Sequence, residues 1–205
     1  MTSRREFLQS TFAASVLPLA AGAVEGTGPA VSARARADAV PLYKVLYDTR
    51  FPASVAFARR VAAQGVVTQA MAGDMTQFWY DDLYHRWARG KAAIAGLTAY
   101  GALFCLERLA WDQRMRVVFR VEHKAAAAGS IAHDFTGAPE ILPAACRAAA
   151  EPAWAAAMAD VVTQCPSGRA VSTTAHTVSA NRGTRVPESE PLFSWVIAPA
   201  ARTGL

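Results

Sequence analysis

Hydrophobic positions change their period repeatedly along this chain, and each change predicts a new element. Lys44-Val45-Leu46-Tyr47 is a short β-prone run that ends in Asp48-Thr49-Arg50-Phe51-Pro52. Pro52 suits the first turn of a helix, where its missing N–H has no partner to lose. Val55, Phe57, Ala58, Val61 and Ala62 then recur at helical spacing until Gly65 stops them. Val66 to Met71 predicts a second strand. Asp74 is a good N-cap, with Gln77 three residues later as a capping box requires. The helix that follows carries Trp79, Tyr80, Leu83, Tyr84 and Trp87 at spacings of three and four, and Gly90 ends it. Ala92 to Leu97 predicts a third strand. Thr98 is placed to cap a third helix, which runs to about Arg114, and Met115 to Val121 predicts a fourth strand.

Three β-to-α steps of about 25 residues therefore lead into a fourth strand. That rhythm predicts an α/β fold with three layers: a mostly parallel sheet and helices on both its faces. Ser130 to Phe135 is a further candidate strand. Glu140 to Gln164 is alanine-rich and helical, bent or broken at Pro152. Residues 169–178 and 192–197 are β-prone, and this C-terminal part can add antiparallel strands. Residues 179–190 read as a polar loop.

The N-terminus follows a different logic. Ser3-Arg4-Arg5-Glu6-Phe7-Leu8 precedes a mildly apolar stretch, Phe12 to Val24, broken by Pro18 and Gly22. The stretch is far short of the roughly 20 apolar residues of a membrane span. A charged start, a short apolar middle and a small-residue exit describe a targeting segment. The run resembles a twin-arginine signal peptide, with Gln9 where the pattern often has lysine. Two small-x-small sites follow, Val31-Ser32-Ala33 and Ala35-Arg36-Ala37, and cleavage after Ala37 is favoured. The chain then divides into a signal peptide, 1–37, and a single α/β domain, 38–205. Residues 26–40 are small and Gly/Pro/Ala-rich, and 38–41 link signal to domain. The resemblance implies that the twin-arginine translocase carries the folded protein across the inner membrane of a bacterium to a periplasmic location. Cargo of that route often holds a cofactor or travels with a partner that does, so an exported redox enzyme is the partner class it suggests.

Charge narrows the rest. The chain carries a net +5, and removing Arg4, Arg5, Arg34, Arg36, Glu6 and Glu25 leaves 17 basic and 14 acidic residues, or +3. No lysine-rich run exists, and tracking a phosphate backbone needs a clustered basic surface, so nucleic acid is not an expected partner. No membrane span is expected in the mature form. Of the three cysteines, Cys146 and Cys165 are the candidate disulfide pair in an oxidising compartment. Cys105 sits mid-helix among apolar neighbours and reads as structural.

In an open α/β sheet, ligands bind outside the carboxyl ends of the strands. Those ends would present Asp48, Arg50, Asp74, Thr98, Glu122 and His123, with Trp79 and Tyr80 as an aromatic wall. Helix N-termini there favour negative charge, and Arg50 can grip a carboxylate or phosphate. Asp48 and Asp74 oppose a highly charged anion, so a small polar or mono-anionic ligand fits better. Each member also has a purely structural reading: Asp74 and Thr98 as caps, Asp48 in a turn, Glu122 and His123 at a strand end. Asp81 and His85 share a helix face without further ligands at helical spacing, which disfavours zinc. His133-Asp134 with Ser172 or Ser179 could seed a triad, but no Gly-x-Ser-x-Gly elbow accompanies them. No Gly-x-Gly-x-x-Gly or P-loop marks a nucleotide site, and the sequence names no cofactor. Three functions are consistent with this pattern. The first is an exported small-ligand-binding or accessory protein. The second is a periplasmic enzyme using the strand-end acids, Arg50 and His123, and the third is an assembly factor without a pocket.

Overall fold

A computed structural model describes residues 42–164, 173–179 and 185–199. The signal segment, its cleavage sites, Cys165 and Ser172 lie outside the described residues. Among the described residues seven strands form one sheet: β1 (Leu42–Asp48), β2 (Thr68–Met71), β3 (Ala93–Ala99), β4 (Met115–Ala125), β5 (Ile131–Gly137), β6 (Thr173–Ser179) and β7 (Leu192–Pro199). Their order across the sheet is β2-β1-β3-β7-β4-β5-β6. Helix α1 (Pro52–Ala63) joins β1 to β2. Helix α2 runs through Thr76–Phe78, a π-helical turn Trp79–Leu83, and Tyr84–Arg89. Helix α3 (Tyr100–Asp112) joins β3 to β4, while α4 (Leu142–Ala150) and α5 (Trp154–Thr163) lie between β5 and β6. The mixed α/β class is as expected.

The sheet is mixed, which corrects the expectation of a mostly parallel one. Only β1 pairs in parallel, with β2 and with β3; the other four pairings are antiparallel. Two physical reasons account for this. β4 and β5 are joined by a short turn closed by Ala126 N–H to Ser130 O at 2.9 Å. A turn that short holds no crossover, so the pair must be antiparallel. β7 then inserts between β3 and β4. It is buried at every position from Leu192 to Ala198, as a near-continuous apolar run in the middle of a sheet should be.

Alternation along β1 divides the core. Val45 joins a cluster with Phe57 and Val61 of α1 and Met158 and Val162 of α5. Leu46 joins a second cluster with Trp79, Leu83 and Trp87 of α2 and Leu103 and Leu106 of α3. Handedness explains the division. The step from β1 to β2 moves one way along the sheet and the step from β2 to β3 moves back past β1, so right-handed crossovers need helices on opposite sides.

Three local expectations change. Along α2, Trp79, Leu83 and Trp87 are buried, whereas Tyr80 and Tyr84 are exposed. The π-helical turn is wider than an α-turn, so residues four apart stay on one face and the two tyrosines rotate away from it. Thr98 is a buried residue of β3 and caps nothing; Ala99 occupies the N-cap of α3, without a side-chain cap. Asp74 precedes the N-cap, Met75, and its Oδ1 accepts the Thr76 N–H at 2.8 Å. This is an Asx turn into the helix and not a capping box with Gln77. The alanine-rich segment breaks around Pro152 as expected. Among the described residues no helix is long and apolar enough to cross a membrane.

Candidate functional site

The carboxyl end of β1 is a switch point: α1 leaves it toward β2, while the neighbouring strand β3 feeds α3 toward β4. Crevices open at such points because consecutive connections depart in opposite directions. Register places the candidate residues on one cross-row. Asp48 lies beside Met71, Tyr47 beside Leu97, Thr98 beside Phe193, and Phe193 beside Glu122. Asp48, Arg50, Asp74 and Thr98 thus belong to one edge of the sheet.

Within that edge their roles separate. The Asp48 side chain is fully buried, whereas Arg50 is 44% exposed. Arg50 Nε donates to Asp48 Oδ1 at 3.0 Å and Nη2 donates to Oδ2 at 2.7 Å. The Arg50 backbone N–H adds a third bond to Oδ1 at 3.1 Å. A bidentate pair of this kind fixes the plane of the guanidinium. The guanidinium also lies 4.9 Å over the Phe51 ring, and Glu190 approaches Nη2 at 3.8 Å. Among the described residues no acceptor meets Nη1. Gly73 makes the fit possible: a Cβ there would lie 2.9 Å from Arg50 Cζ, and its φ of +85° suits glycine.

Ser54 ties the carboxyl ends of β1 and β3 together. Its hydroxyl accepts the Asp48 N–H at 2.8 Å and donates to the Leu97 carbonyl of β3. Both helix N-termini at this edge, α1 after Phe51 and α3 after Ala99, lack a side-chain cap. Two helix starts and one oriented guanidinium at this edge favour negative charge.

The remaining candidates stand elsewhere. Thr98 Oγ1 accepts Trp195 Nε1 at 3.0 Å and donates to Ala99 O at 3.1 Å, in the core. Asp74 is exposed, and its bond to Thr76 holds its carboxyl below the usual range. Trp79 is buried and Tyr80 exposed, both beside a groove between α2 and α3. Glu122 pairs with Lys124 at 3.1 Å, one residue from His123 and so on the opposite face of β4. The same alternation parts His133 from Asp134, which bonds His176 Nδ1 at 2.6 Å across β6. Cys146 carries a free thiol, and its candidate partner Cys165 lies outside the described residues. Among the described residues no group of three His, Cys, Asp or Glu side chains is arranged for a metal ion.

His123 is fully buried and belongs to a polar chain that sequence reasoning did not assemble. Its Nδ1 lies 2.7 Å from His133 Nδ1, and its Nε2 lies 2.8 Å from Ser194 Oγ. Trp154 at the start of α5 packs on His123 with ring centroids 4.3 Å apart and ring planes tilted by 37°. Burial drives the His123 imidazole well below its ordinary pKa, and His133 adds to the effect. Burial pushes His133 down to about 4. Both rings are therefore neutral at neutral pH, one Nδ1 donating and the other accepting. A period-two pattern that places His123, His133 and Ser194 inward was the available signal, but pairing β7 beside β4 could not be read from the chain. Ser54, Gly73 and Glu190 were likewise missed: Ser54 acts through Asp48, and Gly73 and Glu190 come to Arg50 from distant parts of the chain. Comparison with protein-family models, with curated proteins and with solved structures finds no match.

Proposed function

We propose that the protein is exported through the twin-arginine route and works in the periplasm as a small-ligand-binding or accessory protein. Its site is the crevice where β1 and β3 diverge, and its ligand is a small polar or mono-anionic molecule held by Arg50. One observation carries this reading: a half-exposed guanidinium is fixed from behind by a fully buried carboxylate at a switch point of the sheet. A surface arginine needs no buried partner, and burying a carboxylate is costly unless it is paired. Asp48 offsets part of the positive charge, which favours a singly charged ligand over a phosphate ester. An exported redox enzyme is the partner class that the route favours. In the same reading the two core clusters are the inner sides of two helical layers flanking the sheet, giving three layers in all. The enzymatic alternative gains nothing from His123, which is enclosed in the core.

Two experiments test the proposal. Replacing Arg4 and Arg5 together with lysine should hold the precursor in the cytoplasm; unchanged export contradicts the route. Native mass spectrometry of the protein purified from its own periplasm should find a retained small molecule or a bound partner. A bare chain at its own mass contradicts the binding role.

A further inference from the structure

Helices α2 and α3 enclose an open groove of about 360 Å³ on the side of the sheet that carries α3. Met75 and Trp79, both buried, form its floor; Tyr80 and Phe104 stand at its sides, Tyr80 65% exposed. The π-helical turn begins at Trp79 and turns Tyr80 out toward this groove. Such turns are rare within α-helices and are found frequently at functional sites.

Among the described residues Arg108 is the only charged one lining the groove. Its guanidinium lies 3.7 Å over the Trp111 ring and 5.4 Å from Phe104. Among the described residues it meets no carboxylate or carbonyl acceptor, in contrast to Arg50, Arg60, Arg86 and Arg116. Stacking holds the guanidinium in place without using its five N–H donors, which lie in the plane of the group. The groove therefore joins an aromatic wall to an oriented cation with open donors.

Length selects the occupant. Thr76 to Tyr80 and Phe104 to Leu109 span four and five helical steps, or about 6–8 Å at the helical rise. That is short for an extended acyl chain and matches one or two fused rings. We infer that the α2–α3 groove binds a planar aromatic carboxylate of one or two rings, stacked among Trp79, Tyr80 and Phe104 with its carboxylate on Arg108. This site is separate from the Arg50 crevice and does not depend on it.

Calorimetric titration of the full chain with 2-naphthoate, and with the neutral 2-naphthamide, tests the inference. Saturable binding of naphthoate at one site per chain is expected. Arg108→Gln should weaken naphthoate by roughly tenfold or more while leaving the amide unchanged, since it removes a charge-assisted bond. Tyr80→Ala should weaken both ligands. Circular dichroism and thermal unfolding establish that each variant is folded; were Arg108→Gln unfolded, Arg108→Lys should still lose bidentate binding to naphthoate relative to the amide. Absence of naphthoate binding, or binding insensitive to Arg108 and lost in Arg50→Gln, overturns the inference. So does dimerisation of the chain that Tyr80→Ala abolishes, without naphthoate binding: the face would then belong to a second copy.

Discussion

The imidazoles of His123 and His133 face each other across β4 and β5 with their Nδ1 atoms 2.7 Å apart, both fully buried. Two neutral rings satisfy this contact, one as donor and one as acceptor. Protonating the accepting ring at Nδ1 removes the acceptor, and protonating either ring places a charge in the core.

A pH dependence of stability follows. The folded pKa of His133, about 4, lies below its ordinary 6.5. The unfolded chain therefore binds more protons between those values, and stability falls as pH drops through that window. The full effect for His133 is about 3–4 kcal/mol, at about 1.4 kcal/mol for each pH unit between about 4 and 6.5; His123 acts in the same direction. Asp74 and Asp134, whose carboxyls are lowered from 3.8, act only at more acid pH. Urea unfolding at pH 7 and pH 4.5 should show the loss, and a doubly substituted His123→Gln, His133→Gln protein should lack it. Equal slopes in the two proteins contradict this account.

Gly73 and Gly65 form a matched pair. Both have positive φ, +85° and +78°, but a Cβ at Gly65 meets nothing within 4 Å, whereas one at Gly73 meets Arg50. Gly65→Ala should cost about 1 kcal/mol from backbone strain alone. Gly73→Ala should cost more and displace the guanidinium from Asp48. Denaturant midpoints for the two variants provide the comparison; equal losses would mean that Gly73 does not shape the position of Arg50.

Thr98 was a candidate ligand residue, and its surroundings now predict a structural effect. Thr98→Val leaves Trp195 Nε1 buried without its acceptor. The cost should be about 1–3 kcal/mol in unfolding free energy. Ligand retention by the folded fraction should not change. Loss of ligand at unchanged stability would return Thr98 to the binding site.

The strands and helices were legible because their signals are local: Pro52 and Gly65 bracket α1, and Pro152 parts α4 from α5. Strand order was not. The apolar run of β7 reads as buried wherever it is placed, and nothing local says that it separates β3 from β4. Asp48 and Arg50 were each legible as residues at a strand end, but their ion pair was not. Nor was the burial of Asp48, because it depends on Ser54 and on the β3 carbonyl that Ser54 reaches. His123 illustrates the same limit. Its position near the end of β4 was readable, but its side of the sheet follows from a register set by β5 and β7.

The central claim is that Arg50 holds a ligand in the crevice between β1 and β3. The most direct measurement is native mass spectrometry of wild-type and Arg50→Ala protein, each purified from its native host and shown by circular dichroism to be folded. The account predicts a small adduct on the wild-type chain that is lost or strongly depleted in Arg50→Ala, with the fold intact. An adduct retained equally by both proteins, or an Arg50→Ala chain that unfolds because Asp48 is left buried without its partner, would contradict it and make Arg50 a structural ion-pair member.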